Sequence, residues 1–205
     1  NTSVSIYDGF VSAEPGFVFG LIAGTHTFLD TATFNGDMLV INSTLNVEGG
    51  LTVGNVTLTE NVTVSIDTLG SISTGDTLSV DNLVMNGGNF KTIRGSFGAN
   101  APAGVWDIGA TQTVLLTDGT QVTLDGLTVN NAGAVSQSLT VSDVRLNNGT
   151  VFTNLAGGVW DFQTDTGVTR TSGVSTLING GDLVKSAGTL STINAVLDNV
   201  TGGRI

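Results

Sequence analysis

Cysteine is absent from all 205 residues, so neither a disulfide framework nor a thiolate metal site holds this chain together, and thiols say nothing of its redox compartment. Histidine occurs once, at position 26, which excludes a metal site built on two imidazoles. A Ser/His/Asp relay would have to use His26, and no Gly-x-Ser-x-Gly elbow accompanies it, so no catalytic residue is assigned. Charge is scarce too: 11% of residues are charged, against about 25% in a typical globular domain. Solubility must come from Ser, Thr, Asn and Gly, helped by a net charge of -11. With six basic and 17 acidic residues, phosphate backbones and anionic lipid are repelled, and nucleic acid is not an expected partner. The longest apolar run, residues 17–23 with Gly20 inside it, is far shorter than the roughly 20 residues that span a bilayer, so no membrane insertion is expected. The chain opens at Asn1 with no Met and no basic-then-hydrophobic leader, which fits a mature secreted product or an excised fragment. Together these features predict an extracellular or cell-surface setting.

What is present is a short pattern that returns five times: apolar, any, apolar, two small or polar residues, then apolar, any, apolar. The copies begin at Leu51, Leu78, Val122, Leu139 and Ala195, and the last is imperfect because Gly202 stands where an apolar residue belongs. Each half alternates with period two, the mark of a strand burying one face, and the central pair is turn chemistry that bends a strand. Poor helix formers are too dense for a sustained 3.6-residue period, so short strands and Gly, Asn and Asp turns are predicted throughout.

A longer echo accompanies the motif. Gly104-Val105-Trp106-Asp107 returns as Gly158-Val159-Trp160-Asp161, 54 positions later, and Ala132-Gly133 is echoed by Ala187-Gly188. Duplicated units and motif spacings of 27, 44, 17 and 56 residues predict a parallel β-solenoid, whose coils cover one another's faces. The 17-residue spacing predicts one short coil with Leu124 stacked on Val141 and Leu127 on Val144. Asn86, Asn130 and Asn147 follow the motif where a corner needs positive φ or a side chain that bonds the backbone. The alternative is a β-sandwich, because Asp125-Gly126 between alternating segments is also a strong hairpin signal.

From about Asn35 to Ile205 the pattern resembles the right-handed parallel β-helix of large bacterial surface proteins, the autotransporter and haemagglutinin-like adhesins. That resemblance implies a non-enzymatic structural or adhesive surface protein. Residues 1–34 depart from it: Tyr7, Phe10, Phe17, Phe19, Phe28 and Phe34 include five of the nine Phe and the only Tyr. They are expected to cap the solenoid over 35–205, or to join one copy head-to-tail to the next as a filament. The expected partners are thus the chain itself or a surface or matrix glycan.

Rival chemistry is limited. Asp161 and Asp165 share a face of an extended strand and could serve a polysaccharide lyase or tailspike-like hydrolase, since glycoside hydrolysis needs paired carboxylates. No Asp-Asp pair exists, the arginines at 94, 145, 170 and 204 are scattered, and solvated turn carboxylates are the expected role. Trp106 and Trp160 are the candidate glycan contacts of a carbohydrate-binding β-sandwich, although their shared Gly-Val setting favours packing. No cofactor is expected. The Gly180-Gly181-Asp182 run is only part of a calcium-binding nonapeptide, which leaves Ca²⁺ as an adventitious or interfacial ion.

Overall fold

The computed structural model describes residues 4–7, 9–12, 17–29, 33–47, 50–59, 62–66, 77–86, 90–94, 104–117 and 121–205. Among them there is no helix, and all strand pairings are parallel, which makes the chain a β-solenoid. Each coil contributes a strand to each of three faces. One coil runs through Leu127–Asn131 on the first face, Ala134–Gln137 on the second and Val144–Asn147 on the third. The next repeats them as Val151–Asn154, Val159–Phe162 and Val168–Thr169, and the next as Thr176–Asn179, Asp182–Lys185 and Ile193–Asn194. Val196–Asn199 then pairs with Thr176–Asn179.

Toward the N-terminus, strands bend from one face to the next without losing their rung. Val18–Phe28 pairs along its length with Asp37–Val47, broken only where Ala23 and Asn42 stack as left-handed corners with φ of 49° and 48°. Val18–Phe28 and Asp37–Val47 carry the ladder across residue 34, whereas Thr33–Asn35 pairs with Phe10–Ser12 in a separate two-stranded parallel sheet, so the described part of the N-terminal segment is built of parallel rungs too. At Asp125-Gly126 the bend is the same kind of event. Gly126 takes φ of 65°, and the strands on either side of it go to different partners: Gln121–Asp125 to Phe90–Arg94 and Val144–Asn147, Leu127–Asn131 to Gly104–Ile108 and Val151–Asn154. A hairpin would have paired them with each other, and the sandwich alternative falls with it.

Like side chains stack inside. Trp106, Val129, Phe152 and Leu177 form one inward column, and Met38, Val56, Val114, Val135, Trp160 and Leu183 belong to another; all are buried. Each such Val, Leu or Phe contributes about 1.5–3 kcal/mol through burial. Two sequence expectations fail here. Leu124 lies beside Leu146, while Val141 is 68% exposed on a corner and begins no coil. Val144 lies beside Val168, and the Leu127 amide meets the Thr150 hydroxyl. The two Gly-Val-Trp-Asp copies are not vertical repeats either, because Trp106 belongs to the first face and Trp160 to the second. The same local alternation serves whichever face it lands on.

One inward column is polar. Asn131, Asn154 and Asn179 are fully buried; each amide donates to the next Asn, ending at Asn199, over 2.8, 2.9 and 2.7 Å. Their second N–H bonds go to the carbonyls of Val159, Asp182 and Arg204 in the coil that follows. Glycine makes room at this corner: a Cβ on Gly158 would stand 2.3 Å from the Asn131 carbonyl, and one on Gly181 2.3 Å from that of Gly158. The positive-φ role expected of Asn130 and Asn147 falls instead on Asn148, with φ of 51°, while Asn147 accepts the Thr171 and Ser172 amides of the next coil.

Replacing Asn154 with Leu removes the acceptor for Asn131 and the donor to both Asn179 and the Asp182 carbonyl, leaving three polar groups short of a partner. The expected loss is roughly 2–4 kcal/mol, read as a lower urea midpoint. An unchanged midpoint would show that the ladder contributes nothing.

Candidate functional site

The aromatic N-terminal residues divide into two sets. Tyr7 stacks on Phe28 at 4.6 Å and meets Phe19 edge-on at 5.7 Å, while Phe34 closes on Phe19 at 5.5 Å and Phe28 at 6.1 Å. Phe28 and Phe34 are buried, and Tyr7 and Phe19 pack against the core, so these four build the end coils from within. Phe10 and Phe17 instead stand about 70% and 69% exposed, and Ile6, Val18 and Ile22 of the same coils are exposed as well. Of the six residues expected at an assembly face, only these two have free rings.

A second apolar surface lies at the opposite end, which the sequence did not single out. Val196–Asn199 is exposed throughout, and Val184, Leu190, Val200 and Ile205 are exposed near it. A cavity of about 280 Å³ opens here, lined by Phe162, Leu183, Leu190, Ile193 and Ile205 among others. The signal was present in the imperfect fifth motif copy: Gly202, at φ of 94°, turns the chain where earlier copies carry an inward apolar residue.

The glycan-contact expectation for the tryptophans is corrected. Trp106 and Trp160 are both at least 98% buried, and the Trp160 indole donates to Gln137 over 3.1 Å with its ring stacked on Phe162. Neither ring can serve as a platform for a sugar at the surface.

The carboxylates of Asp161 and Asp165 clasp one turn to the next. Asp161 accepts from Gln163 and from the amide and hydroxyl of Ser186. Asp165 accepts the Thr189 and Leu190 amides and the Thr189 hydroxyl, with Lys185 3.5 Å away. The Leu190 and Thr189 amides hold the Asp165 pKa down at about 2, opposite to what a general acid requires. Asp182, the acid of the Gly-Gly-Asp run, is held in a two-pronged pair by Arg204, whose hydrogen bonds lower its pKa. Among the described residues no three His, Asp or Glu side chains converge as metal ligands.

His26 is buried in the first coils. Its Nδ1 lies 3.4 Å from the Tyr7 hydroxyl, its Nε2 has no partner, and burial lowers its pKa.

No family model, curated protein or solved structure matches the chain.

Asp165 has a folded-state pKa below its ordinary 3.8, so its stabilising effect is complete above that value and disappears as pH falls toward about 2. Thermal melts of Asp165→Asn and the parent chain should therefore differ at pH 5–7 and converge between pH 4 and 2. A gap that stays constant across that range would assign the clasp no role.

Proposed function

We propose that this chain is a non-enzymatic, extracellular structural or adhesive element that joins head-to-tail with further copies into a surface filament. The observation that carries the reading is the pair of apolar ends on a ladder whose strands all run in one direction. Parallel pairing across a junction requires the C-terminal end of one copy to meet the N-terminal end of the next, a heterologous contact that propagates. A symmetric junction of two like ends would set the strands antiparallel.

Magnitudes make the apolar side chains necessary. Association costs about 4–15 kcal/mol in lost freedom, and each fully buried Val, Leu, Ile or Phe returns about 1.5–3 kcal/mol. One exposed aromatic would not suffice. Phe10, Phe17, Val18 and Ile22 meeting Leu190, Val196, Leu197 and Ile205 would. The acidic, Thr- and Asn-rich exterior supports a surface setting, and glycan contact on such an exterior would use hydroxyl and amide groups. The commitment of Asp161, Asp165 and Asp182 to holding turns together supports a non-catalytic role.

Phe28 and Phe34 are core residues, so deleting residues 1–34 would damage the fold as well as the junction. The cleaner variant is Phe10→Glu with Phe17→Glu. In sedimentation velocity and negative-stain electron microscopy, the parent chain should form concentration-dependent rods and the variant should remain monomeric. Rods of equal length from both, or a parent chain that stays monomeric at every concentration, would refute the reading.

A further inference from the structure

We propose that His26 is an acid-sensitive latch on the end coil, and that its protonation releases the rung Val4–Tyr7. As a means of regulating assembly it rests on the head-to-tail reading, but the latch itself does not.

The argument begins with the column His26 occupies. Moving rung by rung along the third face, the same inward position holds Leu45, then Val64, and further on Leu124 and Leu146, all buried and all aliphatic. Only next to the end rung does a titratable ring take that place. His26 is 5% exposed, with Ser5 and Leu45 as its register neighbours on either side. The Tyr7 ring lies over it at 6.3 Å, and the Tyr7 hydroxyl reaches only Nδ1.

A neutral imidazole leaves Nε2 unpartnered in either tautomer. An imidazolium would need two acceptors and a counter-charge. Among the described residues, the strands paired with His26 supply neither. On Val4–Tyr7 the one titratable group described is Tyr7 itself, and on Asp37–Val47 the acid is Asp37, at the far end of the strand opposite Val18. Among the described ion pairs none involves His26. A cation formed there is buried with no compensating charge among the described residues, so it is stabilised by leaving the core.

What gives way is the element with the least holding it. Val4–Tyr7 pairs with Val18–Phe28, and it covers His26 through Tyr7. Local opening is cheapest at such a terminal rung. In the opened state the imidazole titrates near its ordinary 6.5; in the closed state burial lowers that value. The closed form therefore binds fewer protons, and its stability falls as pH drops below about 6.5. For one proton the opened population rises about tenfold per pH unit until the closed form is itself protonated. Carboxylates titrate near 4, so the window from about pH 6.5 to 5 belongs to His26, the only histidine in the chain.

The chain supplies its own probe, since Tyr7 is its single tyrosine. With 3-fluorotyrosine incorporated, the ¹⁹F resonance should move from a buried to a solvent-like position between pH 7.5 and 5, and in His26→Gln it should not move. If His26→Gln fails to fold, as judged by tryptophan emission from Trp106 and Trp160, His26→Leu restores the aliphatic column and serves instead. A parent resonance unchanged to pH 5, or a variant that shifts like the parent, would overturn the latch. Sedimentation on the same samples separates the two claims. A ¹⁹F shift with no rods at pH 7.5 leaves the latch standing and sinks the head-to-tail reading. Rods that disperse with the shift in the parent but not the variant support both. Rods that persist while Tyr7 is released overturn the regulatory role.

Discussion

The structure depends on a vertical constraint: a side chain is acceptable if it matches the one above and the one below. The buried asparagine column states it most sharply. Asn131, Asn154 and Asn179 each spend one N–H on the next Asn and the other on a carbonyl of the following coil, so the column positions side chain and backbone at once. Removing Asn154 or Asn179 strands three partners in a medium where an unmade hydrogen bond is costly. The neighbouring glycines belong to the same constraint, because a Cβ at Gly158 or Gly181 would stand 2.3 Å from a carbonyl oxygen of the chain packed against it. Sequence distances of 23, 25 and 20 residues between successive asparagines show how the constraint works. The corner is fixed and the loops between faces take up the difference. Coil length is therefore free to vary, and the rungs are not.

That freedom explains what could be read from the residues and what could not. Period-two alternation marked the inward residues and Asp125-Gly126 marked a bend, since both are properties of the segment itself, but that pair fitted a hairpin as well as a coil, and it was the recurrence of the motif that pointed to the parallel solenoid. Vertical pairing is different, being a property of two distant segments. Leu139-Thr140-Val141 alternates as well as any strand, yet Leu139 is buried, Val141 faces solvent, and the Leu139 carbonyl accepts the Thr164 and Thr166 hydroxyls of the next coil. The segment is a corner because hydroxyls arriving from 25 and 27 residues away make it one. The tryptophan echo failed for a related reason: Gly-Val-Trp-Asp specifies an inward ring on a short strand, and three faces all offer that place. Asn147 and Asn148 differ by one position, and only the left-handed φ at 148 separates the corner from the clasp.

Polar side chains on the outside are engaged in the same vertical task. Asn130 donates to Asp107, Asn148 to Asp125, and the Gly167 amide to Asp143. These bonds join successive coils, as do those of Asp161 and Asp165. A surface with so little charge spends much of it on its own turns. Functional candidates drawn from composition alone, paired acids or a pair of tryptophans, were therefore drawn from residue types that the fold consumes.

It follows where a chain of this kind can carry something specific. In the middle of the ladder every inward position must suit two neighbours, and a departure stays where it finds partners of its own, as Gln137 does between Leu116 and Phe162 by bonding Thr166, Gly167 and Trp160. At an end coil an inward residue answers to fewer neighbours, so an imidazole, an exposed Phe or an open apolar cavity is tolerated there when it would not be within. His26, Phe10 and Phe17 lie at one end, and Leu190, Leu197 and Ile205 at the other. Among the described residues, the large apolar side chains exposed between the ends are Leu115, Val141, Leu155 and Val174. Repetition among the described coils of the body leaves the end coils as the place where the described side chains depart most from their columns, and that is why the proposed junction is drawn there.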